Sequence, residues 1–128
     1  MGINEINVLS LAYLGDAVYE LKVRDYLISL GIQKVNKLQD KAMSFVTAKK
    51  QCEYINYFIN NNILTEIELD YVKRGRNAST YSHPKNTDIV TYKWATGFEA
   101  LIGYLYLTGQ RKRLEELLNK CVEFTFLK

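Results

Sequence analysis

The sequence predicts an all-α fold, one domain of about six helices with a single long basic loop. Three observations carry that reading. The 128 residues include one proline and seven glycines, too few breakers for a turn-rich β architecture. Apolar residues recur at helical spacing along most of the chain. The one long aperiodic stretch, Gly75 to Thr87, is rich in Asn, Ser, Thr and Gly, and a loop of that length in a small domain is usually functional or disordered. With 48% hydrophobic and 24% charged residues, the composition is that of a globular domain able to bury a core without staples.

The first helix is expected from about Asn7 to Leu30, with Leu11, Leu14, Val18, Leu21 and Ile28 near its inward face and Gly31 as a left-handed cap. A second runs from Val35 to about Phe45. Thr47 caps a third that reaches Asn60, with Ala48, Cys52, Ile55 and Ile59 facing inward. The run Asn60-Asn61-Asn62 breaks the pattern. Thr65 and Glu68 form a capping box for a fourth helix, expected to end near Arg74, before Gly75. Asp88 caps a fifth that continues to Leu107 and stops at Thr108-Gly109. The last helix spans Gln110 to about Val122, with Leu114, Leu117, Leu118 and Val122 on its apolar side.

Several chemistries are excluded. His83 is the only histidine, so a histidine-rich zinc site cannot be built within one chain. Cys52 and Cys121 lie far apart without a CxxC spacing and read as buried thiols of a reduced, cytoplasmic protein. No glycine-rich phosphate loop is present. The longest charge-free apolar run, Ala100 to Leu107, falls far short of the roughly 20 residues that cross a bilayer. The N-terminus has no basic region followed by an apolar stretch, so no secretory signal is expected. The net charge of +3 says little about partners on its own.

The chemistry concentrates at three places. Glu99 is the only charged residue between Trp94 and Leu107, in a helix apolar nearly all round that belongs at the centre of a bundle. A carboxylate there must be paired, protonated or metal-bound. Two readings stand open: a structural glutamate bonded to a buried tyrosine or arginine, or a metal ligand. Gly97 and Gly103 flank it and let another backbone come close. In the first helix Asp16 follows Gly15 inside an apolar run, with Glu20 one turn on and Arg24 placed to pair with Glu20. Two acids facing each other across closely packed helices can hold a divalent metal, since Mg²⁺ typically takes one or two carboxylates. Third, Lys73, Arg74, Arg76 and Asn77 open the long loop, Lys85 and Asn86 follow in it, and Lys93 lies beyond. Such a cluster suits a phosphate backbone, although a solvated surface loop has the same composition. His83 reads as a solvent-facing loop histidine or as a general acid or base. Together these features suggest metal-assisted phosphodiester hydrolysis.

Leu11-Ala12-Tyr13-Leu14-Gly15-Asp16-Ala17-Val18 resembles the signature of the ribonuclease III catalytic domain, whose Leu-Gly-Asp supplies a metal-binding aspartate. Phe98-Glu99-Ala100-Leu101-Ile102-Gly103 resembles that family's second motif, whose glutamate completes the site. Lys73-Arg74-Gly75-Arg76-Asn77-Ala78, and Pro84-Lys85-Asn86-Thr87-Asp88 leading to Tyr92 and Thr96, are similar to the mini-ribonuclease III branch of bacteria. Ala12 stands where full-length ribonuclease III has a glutamate and Thr96 where it has an aspartate, which thins the acid shell to Asp16 and Glu99. The resemblance implies a ribonuclease III-like domain over 1–128 without a separate RNA-binding domain. It further implies a homodimeric, Mg²⁺-dependent endoribonuclease of double-stranded RNA, with Mn²⁺ as a substitute. Asp16 and Glu99 would be catalytic and metal-binding; Lys73, Arg74, Arg76, Asn77, Lys85 and Asn86 would hold RNA. The branch is associated with maturing the ends of large-subunit ribosomal RNA precursor, helped by a ribosomal protein. The alternatives are a non-catalytic RNA-binding or ribosome-associated helical domain, and a helical protein–protein module.

Overall fold

The computed structural model describes residues 1–80 and 88–127. Among them six α-helices follow a short 3₁₀ turn at Ile3–Glu5. They are α1 (Val8–Ser29), α2 (Val35–Val46), α3 (Ala48–Asn60), α4 (Glu66–Ala78), α5 (Ile89–Leu107) and α6 (Arg111–Leu127). The all-α expectation holds, and the starts of α1, α3, α4 and α5 fall where side-chain caps place them. Asn7 accepts from the Leu9 N–H at 2.8 Å, Thr47 from Lys50 at 3.2 Å and Asp88 from Thr91 at 2.8 Å. Thr65 and Glu68 close the capping box reciprocally. The stops of α3 and α5 are as expected too. Asn62 and Gly109 take positive φ, while the Ile63 and Gln110 N–H groups reach back to the Phe58 and Leu105 carbonyls at 2.9 Å, satisfying groups the helix ends leave unpaired.

Helix α5 is the centre. Phe98, Ala100, Leu101, Ile102 and Leu105 are fully buried, and α1, α3, α4 and α6 pack around them. Fully burying such a side chain contributes roughly 1.5–3 kcal/mol. The rings of Tyr19 and Phe98 meet edge to face, 4.9 Å apart. The Tyr19 hydroxyl donates to the Phe45 carbonyl at 2.8 Å, and the Tyr54 hydroxyl shares a 2.6 Å bond with that of Thr125.

Four expectations need correction. Helix α4 does not end near Arg74; it continues to Ala78, because Gly75 is a packing residue rather than a stop. A Cβ there would come within 2.7 Å of the Ala100 Cβ and 3.1 Å of the Gly97 Cα. Helix α6 runs to Leu127, beyond Val122. On α3 the buried positions are Gln51, Tyr54, Ile55 and Phe58, so the inward face is turned from the expected Ala48-Cys52-Ile59 stripe, and Cys52 is only half-buried. On α1, Leu21 and Ile28 are exposed, while Ala12, Gly15, Tyr19, Val23 and Leu27 are buried.

An ion pair unforeseen in the sequence ties α4 to α6. The Arg113 guanidinium grips both oxygens of buried Glu68 at 2.8 Å and donates to the Ile63 carbonyl at 2.6 Å. Burial pushes the Glu68 carboxyl up, but the Arg113 hydrogen bond and the Thr65 N–H outweigh it and hold the carboxyl below its ordinary value. Arg113→Ala strands that charge inside and is expected to cost about 3 kcal/mol by urea unfolding, with Glu68→Gln in the same chain recovering part of the loss.

Candidate active site at the crossing of α1 and α5

Helices α1 and α5 touch backbone to backbone. A Cβ on Gly15 would fall on the Glu99 carbonyl oxygen, and one on Gly103 would fall on the Leu11 carbonyl oxygen. The neighbour of each contact is an acid. Asp16 follows Gly15 on α1, and Glu99 lies one turn before Gly103 on α5. The crossing therefore brings the two carboxyls together, as the flanking glycines suggested. Both line an open cleft of about 260 Å³ with Tyr13, Ser79, Thr80 and Thr96. Asp16 faces solvent, whereas Glu99 is half-buried. A larger hollow of about 440 Å³ between α1 and α2 holds Glu20, Arg24 and Asp40, but its Glu20 is paired with Arg24 at 3.4 Å as expected.

Burial, then the charge and hydrogen bond of Asp16, push the Glu99 carboxyl up to about 9. Gln51 opposes the shift, and Glu20 adds to it. Without a cation, Glu99 therefore keeps its proton at neutral pH. The pair is a set of hard oxygen donors in need of positive charge, and this fits a divalent cation such as Mg²⁺. Among the described residues no group of three or more His, Cys, Asp or Glu side chains converges for metal binding. A cation here would rely on these two carboxylates and on water, a common arrangement for Mg²⁺.

The raised proton affinity fixes a pH dependence. Between the ordinary value of 4.5 and about 9, the folded chain holds a proton that the unfolded chain has released. Its stabilising contribution is complete below that window and lost as pH rises through it. Metal-free protein is expected to lose up to about 1.4 kcal/mol per pH unit there. Thermal unfolding in EDTA from pH 5 to pH 9 measures this, and Glu99→Gln should flatten the slope.

The basic residues lie elsewhere than expected. Lys73, Arg74, Arg76 and Asn77 sit on the last turns of α4 rather than in a loop, because Gly75 continues the helix. Lys73, Arg74 and Asn77 are exposed. Arg74 lies 4.8 Å over the Tyr71 ring and 3.8 Å from Asp70. Arg76 stacks at 4.6 Å on Trp94 and donates to Asn77 at 3.1 Å. Ser79 and Thr80, which follow directly, form one wall of the cleft, so the C-terminal end of α4 reaches it. Lys85, Asn86 and His83 lie outside the described residues.

Of two further polar residues, Thr96 was named in the sequence only for its place in the family motif, and Gln51 went unread. The buried Thr96 hydroxyl, one turn before Glu99, donates to the Tyr92 carbonyl at 3.0 Å and meets the Ser79 hydroxyl at 3.2 Å, tying α4 to α5. Gln51 is buried on α3, where it favours the charged form of Glu99 and donates to the Val46 carbonyl at 3.2 Å. A polar residue at the start of the inward stripe Gln51-Tyr54-Ile55-Phe58 was the available signal.

The ribonuclease III domain model matches residues 9–110. A mini-ribonuclease 3 of Enterococcus faecalis is 50% identical over 119 residues, covering 93% of this chain and 90% of its own. One of Streptococcus pneumoniae is 44% identical over 121 residues, covering 94% of each. A crystal structure of a Fusobacterium nucleatum protein superposes with a TM-score of 0.83 at 31% identity, covering 94% of this chain and 95% of that one. Fold, crossing and similarity agree: the chain belongs to the ribonuclease III family, in its mini-ribonuclease III branch, and so to the endoribonucleases of double-stranded RNA.

Proposed function

We propose that this chain cuts double-stranded RNA by Mg²⁺-assisted hydrolysis, with Asp16 and Glu99 as catalytic carboxylates and metal ligands, and with Mn²⁺ able to substitute. The observation that carries the reading is the meeting of these two acids, from helices distant in sequence, in an open cleft beside a basic helical face. When bound, the cation supplies an acidified water and positive charge at the scissile phosphate. Asp16 and Glu99 hold and orient it from a crossing that side-chain motion cannot shift. Incubating duplex RNA with the protein, with and without Mg²⁺, tests the assignment; cleavage that persists in EDTA overturns it.

A-form RNA offers phosphates and shape more than readable base edges, so Lys73, Arg74, Arg76 and Asn77 on α4, with Lys85 and Asn86, are the proposed grip. Alanine at Lys73, Arg74 or Arg76 is expected to weaken binding to every duplex alike. Each should also flatten the salt dependence by about 0.7 to 0.9 log units per decade of salt, one phosphate's counterion release. Filter binding across a salt series reads both effects. Turnover at saturating RNA should stay near wild type, since the carboxyls sit on other helices.

The proposal extends to a cytoplasmic homodimer acting on the ends of large-subunit ribosomal RNA precursor, with a ribosomal protein as helper. The dimer is supported by the outer face of α1. There Tyr13 (85% exposed), Leu21 (58%) and Ile28 (61%) form an uncovered apolar stripe beside Asp16 and Glu20. Among the described residues no helix is long and apolar enough to cross a membrane.

A further inference from the structure

The chain has five arginines, and three of them face carboxylates: Arg24 pairs with Glu20, Arg74 with Asp70, and Arg113 with Glu68 and Glu116. Of the other two, Arg111 is exposed, whereas Arg76 is half-buried and has no acidic partner among the described residues. Its guanidinium lies 4.6 Å from the centroid of the Trp94 ring, and its Nε–H donates to the Asn77 side chain at 3.1 Å. Ring and bond together fix the plane of the group. The two terminal nitrogens, the fork that grips a phosphate, have no hydrogen-bond partner among the described residues. A cation in the last turn of α4 also steadies the helix end, but charge alone does that and a lysine would serve. A fixed plane is of use only to a planar fork. Trp94 sits on α5 and packs against the core, so the plate under Arg76 is anchored by a second helix.

We propose that Arg76 is a preset phosphate clamp and Trp94 its positioning residue: the ring holds the guanidinium flat, with its terminal N–H groups free to take one backbone phosphate of duplex RNA. The inference rests on the reading of α4 as part of the RNA grip. It sets Arg76 apart from Arg74, whose guanidinium is shared with Asp70.

The test is a double-mutant cycle on the full chain, with affinity for a labelled RNA duplex read by filter binding in EDTA. Wild type is compared with Arg76→Ala, Trp94→Leu and the two combined. Arg76→Ala is expected to weaken binding roughly tenfold, through lost charged hydrogen bonds. Trp94→Leu should weaken it about fivefold, through the lost cation–π contact. The combined variant should bind no more weakly than Arg76→Ala, because the ring then has nothing left to position. A Trp94→Leu loss that persists in full beside Arg76→Ala overturns the positioning role, as does wild-type affinity in Trp94→Leu. Trp94→Phe keeps a ring and should recover most of the loss; a phenylalanine no better than leucine overturns the role as well. Wild-type affinity in Arg76→Ala, or a wild-type chain that leaves the duplex unbound, overturns the grip and the inference together. Should Trp94→Leu fail to fold, the wild-type chain still decides. Emission from Trp94, the only tryptophan, should shift when duplex RNA saturates the protein and stay put in Arg76→Ala; an unmoved signal in wild type defeats the proposal.

Discussion

Asp16→Asn is expected to lower the cleavage rate by about a thousandfold or more, some 4 kcal/mol of transition-state stabilisation, while the helix bundle stays folded. Asparagine keeps the volume and removes the anionic oxygen, and Asp16 lies at the surface, where an amide is readily solvated. Stability in EDTA should hold or rise, because the carboxylate that burdens its neighbour is gone: Asp16 is a principal cause, after burial, of the raised proton affinity of Glu99. Glu99→Gln should match the loss of rate. The double variant should be little worse than either single one, since parts of one unit do not contribute additively. Single-turnover cleavage of a labelled duplex measures all three; losses that multiply would place the acids in separate roles.

Gly15→Ala is the second large effect, and it acts through the backbone. The added methyl has no free space, because it would land on the Glu99 carbonyl oxygen and lie 2.8 Å from the Gly103 nitrogen. Neither atom belongs to a flexible side chain, so α1 must move bodily. Overpacking of this kind typically costs 1–3 kcal/mol and occasionally more, and about 3 kcal/mol is expected here. Moving α1 also carries Asp16 away from Glu99, so cleavage should fall even where the variant remains folded. Gly2→Ala is the control, since nothing lies within 4 Å of a Cβ there. Urea midpoints at constant m-value, measured alongside cleavage, separate the two consequences.

These glycines also explain what the sequence could and could not tell. Gly31 and Gly109 end helices, take positive φ and have open space around them; local sequence identifies that role. Gly75 looks the same in a string of letters, yet it lies under Ala100 of a distant segment. Reading it as a stop moved Arg76 and Asn77 from a helix into a loop. Local signals fixed the caps at Thr47, Thr65 and Asp88 for the same reason: each cap bonds within a few residues of itself. The acids were legible because a charge inside an apolar helix is conspicuous at any distance. The Glu68–Arg113 pair was not, because its two members come from different helices. On α1, Leu21 and Ile28 obey helical periodicity yet face outward, since that helix is apolar on more than one side.

The crossing of α1 and α5 has a consequence for synthesis. Asp16 leaves the ribosome early, but the backbone that α1 packs against is α5, which emerges only with the last third of the chain. Domains fold as units, and pairings between distant segments wait for both members. A partly made chain therefore carries one carboxyl and no counterpart, and no cleft in which to seat RNA. The order of the helices therefore delays the meeting of Asp16 and Glu99 until α5 has been made.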